Sequence, residues 1–519
     1  MKKIWMAFLS SVPLCNLHAQ EPADALRYSW TIQGGTARQQ AIGGAMGSLG
    51  GDISATFVNP AGLAFYKTGD FVLTPRVQFG KNKSTYYDRT EKQPFSKFTW
   101  GTTGFVTGVG SDYRKTKNVA VAFAYNRTAD FNSDVLYRGE NNQNSYSQHF
   151  LEDIHNGNIK DPNQLATNYP FGASLAFNTY WIDTVAGGSS NNFNFQSRSA
   201  NLLASGSLLQ EQVIQNRGGI DEFALGVGAA LSEKFLLGGT LGVPVLHFQK
   251  TATFTEADAT DNTANNFDYA RFSEDLSTKG VGVNAKLGII YKPVEYVRLG
   301  LAFHTPTLYN LKDNYNAAVT TNTENYKGEQ SQTSADVFQQ NGSGSGEFSY
   351  MLTTPYRAIF SASYVLREIE DVTKQKGFIT ADVEYINYKA ASYQPDNQNG
   401  TDDATREYLK SLNTAIDNAY KSTFNFRLGG ELKFTTLMVR AGAAYYGNPY
   451  KNINGDKGSK LNLSGGLGYR NKGMFIDLTY VHAFAKDVYY AYRLESVPYE
   501  GAHIKSGVGN VIATLGFKF

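Results

Sequence analysis

Charged residues recur at alternating positions within apolar-rich segments of this chain: Arg298, Arg357, Asp382, Glu384, Arg427, Glu431, Arg440 and Asp477. In 377–388, for example, Ile379, Ala381, Val383 and Tyr385 oppose Thr380, Asp382 and Glu384. Signs alternate from one segment to the next: Arg357 precedes the Asp382/Glu384 segment, Arg427 follows it, and Glu431 is followed by Arg440. Two chemistries suit that pattern. One is a lattice of ion pairs filling an interior. The other is charge-assisted, bidentate capture of a ligand carboxylate by an arginine. Arg298 has no acidic residue of matching parity on a neighbouring segment and is the first candidate for that capture, ahead of Arg357 and Arg427. Catalytic patterns are missing. His247, His304 and His482 are dispersed with no H-E-x-x-H pair, and there is no phosphate loop, no G-x-S-x-G elbow and no G-x-G-x-x-G opening a helix. No enzyme activity, metal or cofactor is expected.

The elements that carry these residues begin after an export leader. Lys2 and Lys3 form a positive start, 4–14 an apolar run too short to span a bilayer, and Ala19 a small residue for cleavage, so 1–19 reads as a signal peptide. The single Cys15 lies inside it, behind Pro13 and Leu14, which match a lipoprotein cleavage site poorly. The mature chain is then free of thiols, which excludes disulfides and thiolate metal sites. The full sequence of 519 residues shows no linker, so one large architecture is favoured. A net charge of +2 with scattered basic residues excludes a nucleic-acid footprint. No later apolar run approaches the roughly 20 residues of a membrane helix. A membrane protein of this kind has to be a closed barrel, because lipid tolerates only helices and barrels.

Alternation repeats often enough to make that case. Strands are expected near 69–82, 97–109, 117–131, 219–231, 234–255, 271–292, 296–313, 344–366, 376–392, 420–434, 436–448, 458–470, 473–488 and 503–519. The fold class is therefore all-β, a fourteen-stranded antiparallel transmembrane β-barrel over 68–519. Turns such as 231–235, 292–295, 434–437 and 470–473 are short; every other connection is longer, and the longest covers about 132–218. Short turns on one side and long loops on the other is the pattern of outer-membrane barrels, whose short turns face the periplasm. An even strand count puts both termini there. The last strand ends on Phe519, and a terminal aromatic resembles the signal read by the outer-membrane barrel assembly machinery.

Residues 20–67 read as a small, partly helical plug. Ala37, Ala41 and Ala45 recur at helical spacing among Gly43, Gly44, Gly47, Gly50 and Gly51, suited to close packing in a confined lumen. In Asn59-Pro60-Ala61, Pro60 drives Asn59 out of the helical region and starts a turn that the Asn59 side chain can cap. A signal peptide, an Ala/Gly-rich segment, Asp52, then Asn59-Pro60-Ala61-Gly62-Leu63-Ala64 ahead of the first strand resembles the FadL/TodX family of outer-membrane transporters for hydrophobic compounds.

That resemblance implies a fourteen-stranded barrel closed by an N-terminal hatch, with Asn59, Pro60, Ala61 and Gly62 as the hatch element against a kinked third strand, 119–131. Ligand would leave sideways beside the kink. Arg127 shares the parity of Val121, Phe123 and Tyr125, so a distortion near Tyr125, Asn126 and Arg127 is expected to keep its charge from lipid. The family also implies an extracellular hydrophobic groove, and an amphipathic helix over 201–216 with Leu202, Leu209 and Val213 on one face would supply one. The expected function is passive uptake of long-chain fatty acids or similar hydrophobic compounds, with outer-membrane lipids and the assembly machinery as partners. An open porin, a surface adhesin or structural barrel, and a membrane hydrolase are the rival readings.

Overall fold

The computed structural model describes residues 21–30, 34–109, 118–185, 193–260, 262–342, 344–366, 376–396, 402–451 and 458–519. The expected signal peptide, with Lys2, Lys3, Cys15 and Ala19, lies outside the described residues. Among those described, fourteen antiparallel strands form the wall. They are β1 (Asp70–Leu73 and Pro75–Tyr86), β2 (Arg89–Trp100 and Thr103–Val109), β3 (Val119–Asp130 and Ser133–Asn141), β4 (Leu208–Ala230), β5 (Phe235–Asp258), β6 (Tyr269–Val294) and β7 (Val297–His304 and Leu308–Asn322). The second half is β8 (Glu347–Thr353 and Arg357–Leu366), β9 (Gly377–Asn387 and Ser392–Pro395), β10 (Ser422–Phe434), β11 (Leu437–Tyr446), β12 (Lys460–Asn471), β13 (Met474–Tyr489) and β14 (Ala502–Lys518). The sheet closes on itself: Asp70 pairs with Lys518 and Arg76 with Ile512.

Period-two alternation decides which side each residue takes. On β9, Ile379 is 56% exposed on the outside, while Thr380, Asp382 and Glu384 are each about 1% exposed within. Leu241, Leu287, Phe360, Leu428 and Leu467 continue the outer apolar band. Aromatic pairs border it, with Phe235–Tyr291 and Tyr296–Tyr364 at the short-turn end and the row Phe303–Tyr356–Tyr385–Phe424 at the other. An apolar band between two aromatic girdles is the outer surface of a barrel set in a bilayer.

β4, β5 and β6 run for 23, 24 and 26 residues, well past the about 9–11 that a bilayer needs. Their excess makes a wall above the band, roofed by long-loop elements. These pack Tyr146, Phe150 and Trp181 against Phe254 and Phe272 of that wall.

Two expectations fail here. β1 and β2 were expected to join through a longer loop over 83–96, yet Tyr86 and Arg89 pair and leave a two-residue turn in which Tyr87 takes φ +48°. Lys81, Lys83 and Lys92 stand on the outer face above the apolar band, with the buried Asn82 and Ser84 and the Ser84 partner Glu91 on the other, so polar residues occupy both faces and no apolar period marks a strand. The helix expected over 201–216 is likewise corrected. A short helix, Arg198–Leu202, ends there, and from Leu208 the chain is β4, paired with β5 from Asp258↔Leu208 onward. Leu209 and Val213 therefore share the half-buried outer face, Leu208 and Ile214 turn inward, and Leu202 is buried under the roof. A spacing of four fits one turn of helix and two steps of strand equally well.

Inside the ring the N-terminal segment descends from one mouth to the other. Helix α1 (Pro22–Ser29) lies high, with Tyr28 against Phe131 and Phe248. Helices α2 (Ala37–Ala41) and α3 (Ala55–Val58) and a 3₁₀ turn, Pro60–Phe65, follow below, and Gly69 meets Phe519 at the short-turn end. Glu21, whose carbonyl accepts from the Tyr393 hydroxyl at 3.0 Å, is at the long-loop end. The described N-terminal segment therefore crosses the lumen once between Glu21 and Gly69.

Candidate functional site: hatch, seam and chambers

The hatch is tied together before it is tied to the wall. Thr36 caps α2 by accepting from Gln39 N at 3.2 Å and donates its hydroxyl to Asp52 at 2.8 Å, while Asp52 also takes the Ser54 N–H at 2.9 Å. Asp52 thereby knots the two ends of the helical segment. Ala37, Ala41 and Ala45 are wholly buried, and wall hydroxyls hold the backbone beside them. Thr514 accepts from Ala37 N at 2.7 Å, Thr479 donates to Ala37 O at 2.7 Å, and Ser464 donates to Ala41 O at 3.0 Å. Wall glycines leave room for this approach. A side chain on Gly442 or Gly429 would strike the Ile42 backbone at 2.3 and 2.2 Å.

Asn59 is extended at φ −144°, ψ 100°, and its Oδ1 accepts from Ala61 N at 3.1 Å as Pro60 opens the 3₁₀ turn. Its amide donates to the Gly47 carbonyl at 2.5 Å and reaches the Ile289 and Leu301 carbonyls of β6 and β7 at 3.2 and 3.4 Å. Pro60, Ala61 and Gly62 are buried, and Gly238 would strike Pro60 at 2.2 Å if it carried a side chain. Asn59 thus faces β6 and β7 rather than the third strand. The parts of the hatch that meet β3 include Leu63 and Tyr66, clustered with Ala120 and Ala122, Phe57, clustered with Ala124, and Gly34, against Asn126.

The backbone ladder of the wall breaks off at that third strand, where Arg89 and Glu140 still meet at 2.6 Å across the line. β2 and β3 pair from Val109↔Val119 to Thr103↔Tyr125. Beyond it, among the described residues, no ladder joins 89–102 to 126–141; the first pairs with β1 and the second with β4. A bulge at Thr128 shifts the register between Arg127 and Ala129, two residues past the expected kink. Arg127 meets Asp221 at 3.2 Å, Asp130 at 3.5 Å and the Gly218 carbonyl at 2.5 Å, and the Tyr125 hydroxyl donates to Asp221 at 2.6 Å. Pairing, more than burial, settles the charge of Arg127. Across the seam the Thr102 hydroxyl donates to Asn126 Oδ1 at 3.1 Å, and Thr102 N reaches Gly35 O at 3.4 Å. Gly34 and Gly35 of the hatch sit where the ladder is unzipped.

The interior charges form a lattice. Arg427 pairs with Glu384 where both are buried, and Arg357 lies 3.7 Å from Glu384 while donating to Ser29 O at 2.6 Å. Arg440 bridges Glu431 and Asp477, each at 2.5 Å, and Arg38 of the hatch reaches Glu431 at 3.4 Å. Asp382 accepts the Met46 and Gly47 N–H groups at 2.9 and 3.0 Å. Arg298 stacks over the Phe65 ring at 4.6 Å. Arg38 was not among the sequence candidates; a lone arginine in an Ala/Gly segment bound for a charged lumen was its available signal. Among the described residues no three His, Cys, Asp or Glu converge as metal ligands. Phe519 is 72% exposed at the short-turn end, its N–H on Gly69 O at 2.9 Å.

Two chambers flank α1. The lower, about 70 Å³, is bounded by Tyr28, Gly34, Phe57, Asn126, Thr128 and the Glu222–Lys286 ion pair, and so touches the inner side of the seam. The upper, about 300 Å³, lies between α1 and the roof.

The roof is held by a buried carboxylate. Glu256 accepts from Ser145 Oγ at 2.5 Å, Tyr146 N at 3.1 Å and Gln210 Nε2 at 2.9 Å, joining the β3–β4 loop to β4 and β5. Burial pushes its pKa up, against the lowering effect of the Ser145, Gln210 and Ser199 hydrogen bonds. Glu256 therefore contributes stability to the roof that is full below the ordinary carboxylate range and is lost as pH rises through the raised value. Limited proteolysis of 142–207 should be slower in mild acid than at neutral pH, and Glu256→Gln should flatten that dependence.

No family model matches the sequence, and no curated protein matches it. Solved structures do match in fold. The chain is similar to a Pseudomonas aeruginosa FadL homologue, with 14% identity, 95% of this chain and 100% of that chain covered and a TM-score of 0.53. It is also similar to the Pseudomonas putida toluene transporter TodX, with 12% identity, 94% and 99% covered and a TM-score of 0.50.

Proposed function

We propose that this chain is an outer-membrane transporter of the FadL/TodX type that takes up hydrophobic compounds passively and releases them sideways through the β2–β3 seam. The observation that carries this reading is the unzipped ladder beyond Thr103↔Tyr125 with Gly34 and Gly35 of the hatch seated on it. A porin has no use for a gap in its wall. The hatch (20–67) blocks the water path, the long-loop end faces outward, and apolar burial at about 0.8 kcal/mol per CH₂ draws cargo in. Long-chain fatty acids enter the class by resemblance, since Arg427 spends its charge on Glu384 and Arg298 stacks on Phe65. Outer-membrane lipid receives the cargo.

The barrel reconstituted in liposomes should speed transfer of a fluorescent hydrophobe into the bilayer without steady ion current. Asn59→Ala removes the cap and the amide donor, loosening the hatch by about 1–3 kcal/mol, and should make the barrel leak ions in brief openings. Gly238→Val should do the same by pushing on Pro60. Steady current in the unaltered barrel, indifferent to removal of 21–66, would establish the porin reading instead.

A further inference from the structure

The geometry points to the upper chamber as a binding site for a hydrophobic organic cation, an apolar body carrying an ammonium or amidinium group. This deepens the transport reading and rests on it for the route by which cargo enters and leaves.

The walls are aromatic on two sides. Tyr146, Phe150 and Phe272 form one face, with ring centroids 5.3 to 5.9 Å apart; Phe171 and Tyr315 form the other, 4.9 Å apart. Aromatic faces attract cations through their ring quadrupole. Four carboxylates, Glu21, Asp24, Asp153 and Glu274, also border the chamber, against two permanent cations, Arg27 and Lys250. Arg27 is committed to Asp24 and lies over Phe248 at 4.4 Å. That leaves Glu21, Glu274 and Asp153 facing Lys250, with Asp153 3.9 Å from the His149 imidazole and Glu274 accepting from the Tyr315 hydroxyl at 2.5 Å. The chamber is therefore both π-rich and net negative. The Tyr146 phenol registers this field: burial holds its pKa well above the ordinary value, and Glu274, Asp153 and Glu21 add to the effect. A carboxylate cargo would meet repulsion from Glu21 and Glu274, with a lesser share from Asp153, whose carboxyl pKa burial pushes up, whereas a cation finds ring faces and counter-charges together. Lys250 stands on β5 at one edge, and it is the residue that separates this assignment from its opposite.

The test is calorimetric titration of the full barrel in micelles, corrected against empty micelles. The probes are benzyltrimethylammonium, its neutral isostere neopentylbenzene, and phenylpropanoate. The cation should bind about tenfold more tightly than the isostere. Glu274→Gln and Tyr146→Leu should each weaken it about tenfold, and Lys250→Met should tighten it. Tightest binding by phenylpropanoate, lost in Lys250→Met, would overturn the assignment, as would equal binding of cation and isostere. Transport is scored separately in liposomes. A bound cation that never reaches the bilayer would sink the transport reading alone, and delivery of a hydrophobe with no preference for the cation would sink only this site.

Discussion

A covalent lock across the seam is expected to stop delivery while leaving capture intact. The Thr102 and Asn126 side chains already touch at 3.1 Å from opposite edges of the gap, and Cys15 lies within the expected leader, so Thr102→Cys with Asn126→Cys introduces the only thiols of the mature chain. Oxidised, this pair fastens the edges at the point where the ladder ends; reduced, it frees them. Transfer of a fluorescent hydrophobe from water to the liposome bilayer should fall to the protein-free rate in the oxidised variant and return with dithiothreitol. Binding in the upper chamber should be unchanged in both states. A second pair, Thr103→Cys with Tyr125→Cys, joins residues that are already ladder partners, and its oxidation should leave delivery as it was. If the locked barrel delivers as fast as the reduced one, release runs through the short-turn end and the seam is only a structural irregularity.

Glu384→Leu should be the most destabilising single change in the lumen. Glu384 is the counter-charge for Arg427 and lies 3.7 Å from Arg357. Its removal leaves the wholly buried Arg427 without its ion pair. Breaking a buried pair from one side costs about 3–5 kcal/mol, because the remaining charge stays desolvated. The midpoint of urea unfolding in detergent should fall accordingly. Removing both Glu384 and Arg427 in favour of Met should recover much of the loss, since a buried ion pair and an apolar replacement of similar volume are often close in stability. Arg440→Leu makes the same point at a second node by leaving Glu431 and Asp477 face to face. A loss no larger than that of a surface pair, below about 1 kcal/mol, would mean that water fills the lattice and screens it.

The features legible in the sequence were those governed by a short period or a local rule. Ile379 against Asp382 and Glu384 marks a strand with one face in lipid and one inside, and the fourteen-fold repetition of that pattern is the barrel. Asn59 and Pro60 follow from backbone restriction and capping, which need no distant partner. What escaped was set by tertiary contact. The outer half of β1 and β2 stands clear of the bilayer, where polar residues occupy both faces and the apolar period vanishes. Leu209 and Val213 obey two periods at once, and pairing with β5 chose the strand. The seam is an absence of pairing between segments that each look like ordinary strands; only the conflict at Arg127 hinted at it, and the bulge fell at Thr128. The docking of Asn59 on β6 and β7 depends on Gly288 and Gly238 leaving space, which a sequence shows as glycines without saying what approaches them.

The pairing of β1 with β14 has a bearing on how the molecule comes into being. Asp70 meets Lys518, so the ring cannot be sealed until Lys518 is available, and the hatch, which precedes the wall in the chain, has no enclosing wall until that moment. Loop closure over so long a span carries an entropic cost of roughly 5 kcal/mol before any native pair repays it. Sealing is therefore expected to be slow, as topologies dominated by distant pairings are. During that wait the Ala/Gly segment and the two terminal strand edges lie open to other chains. The final step of folding is also the step that shelters its earliest residues.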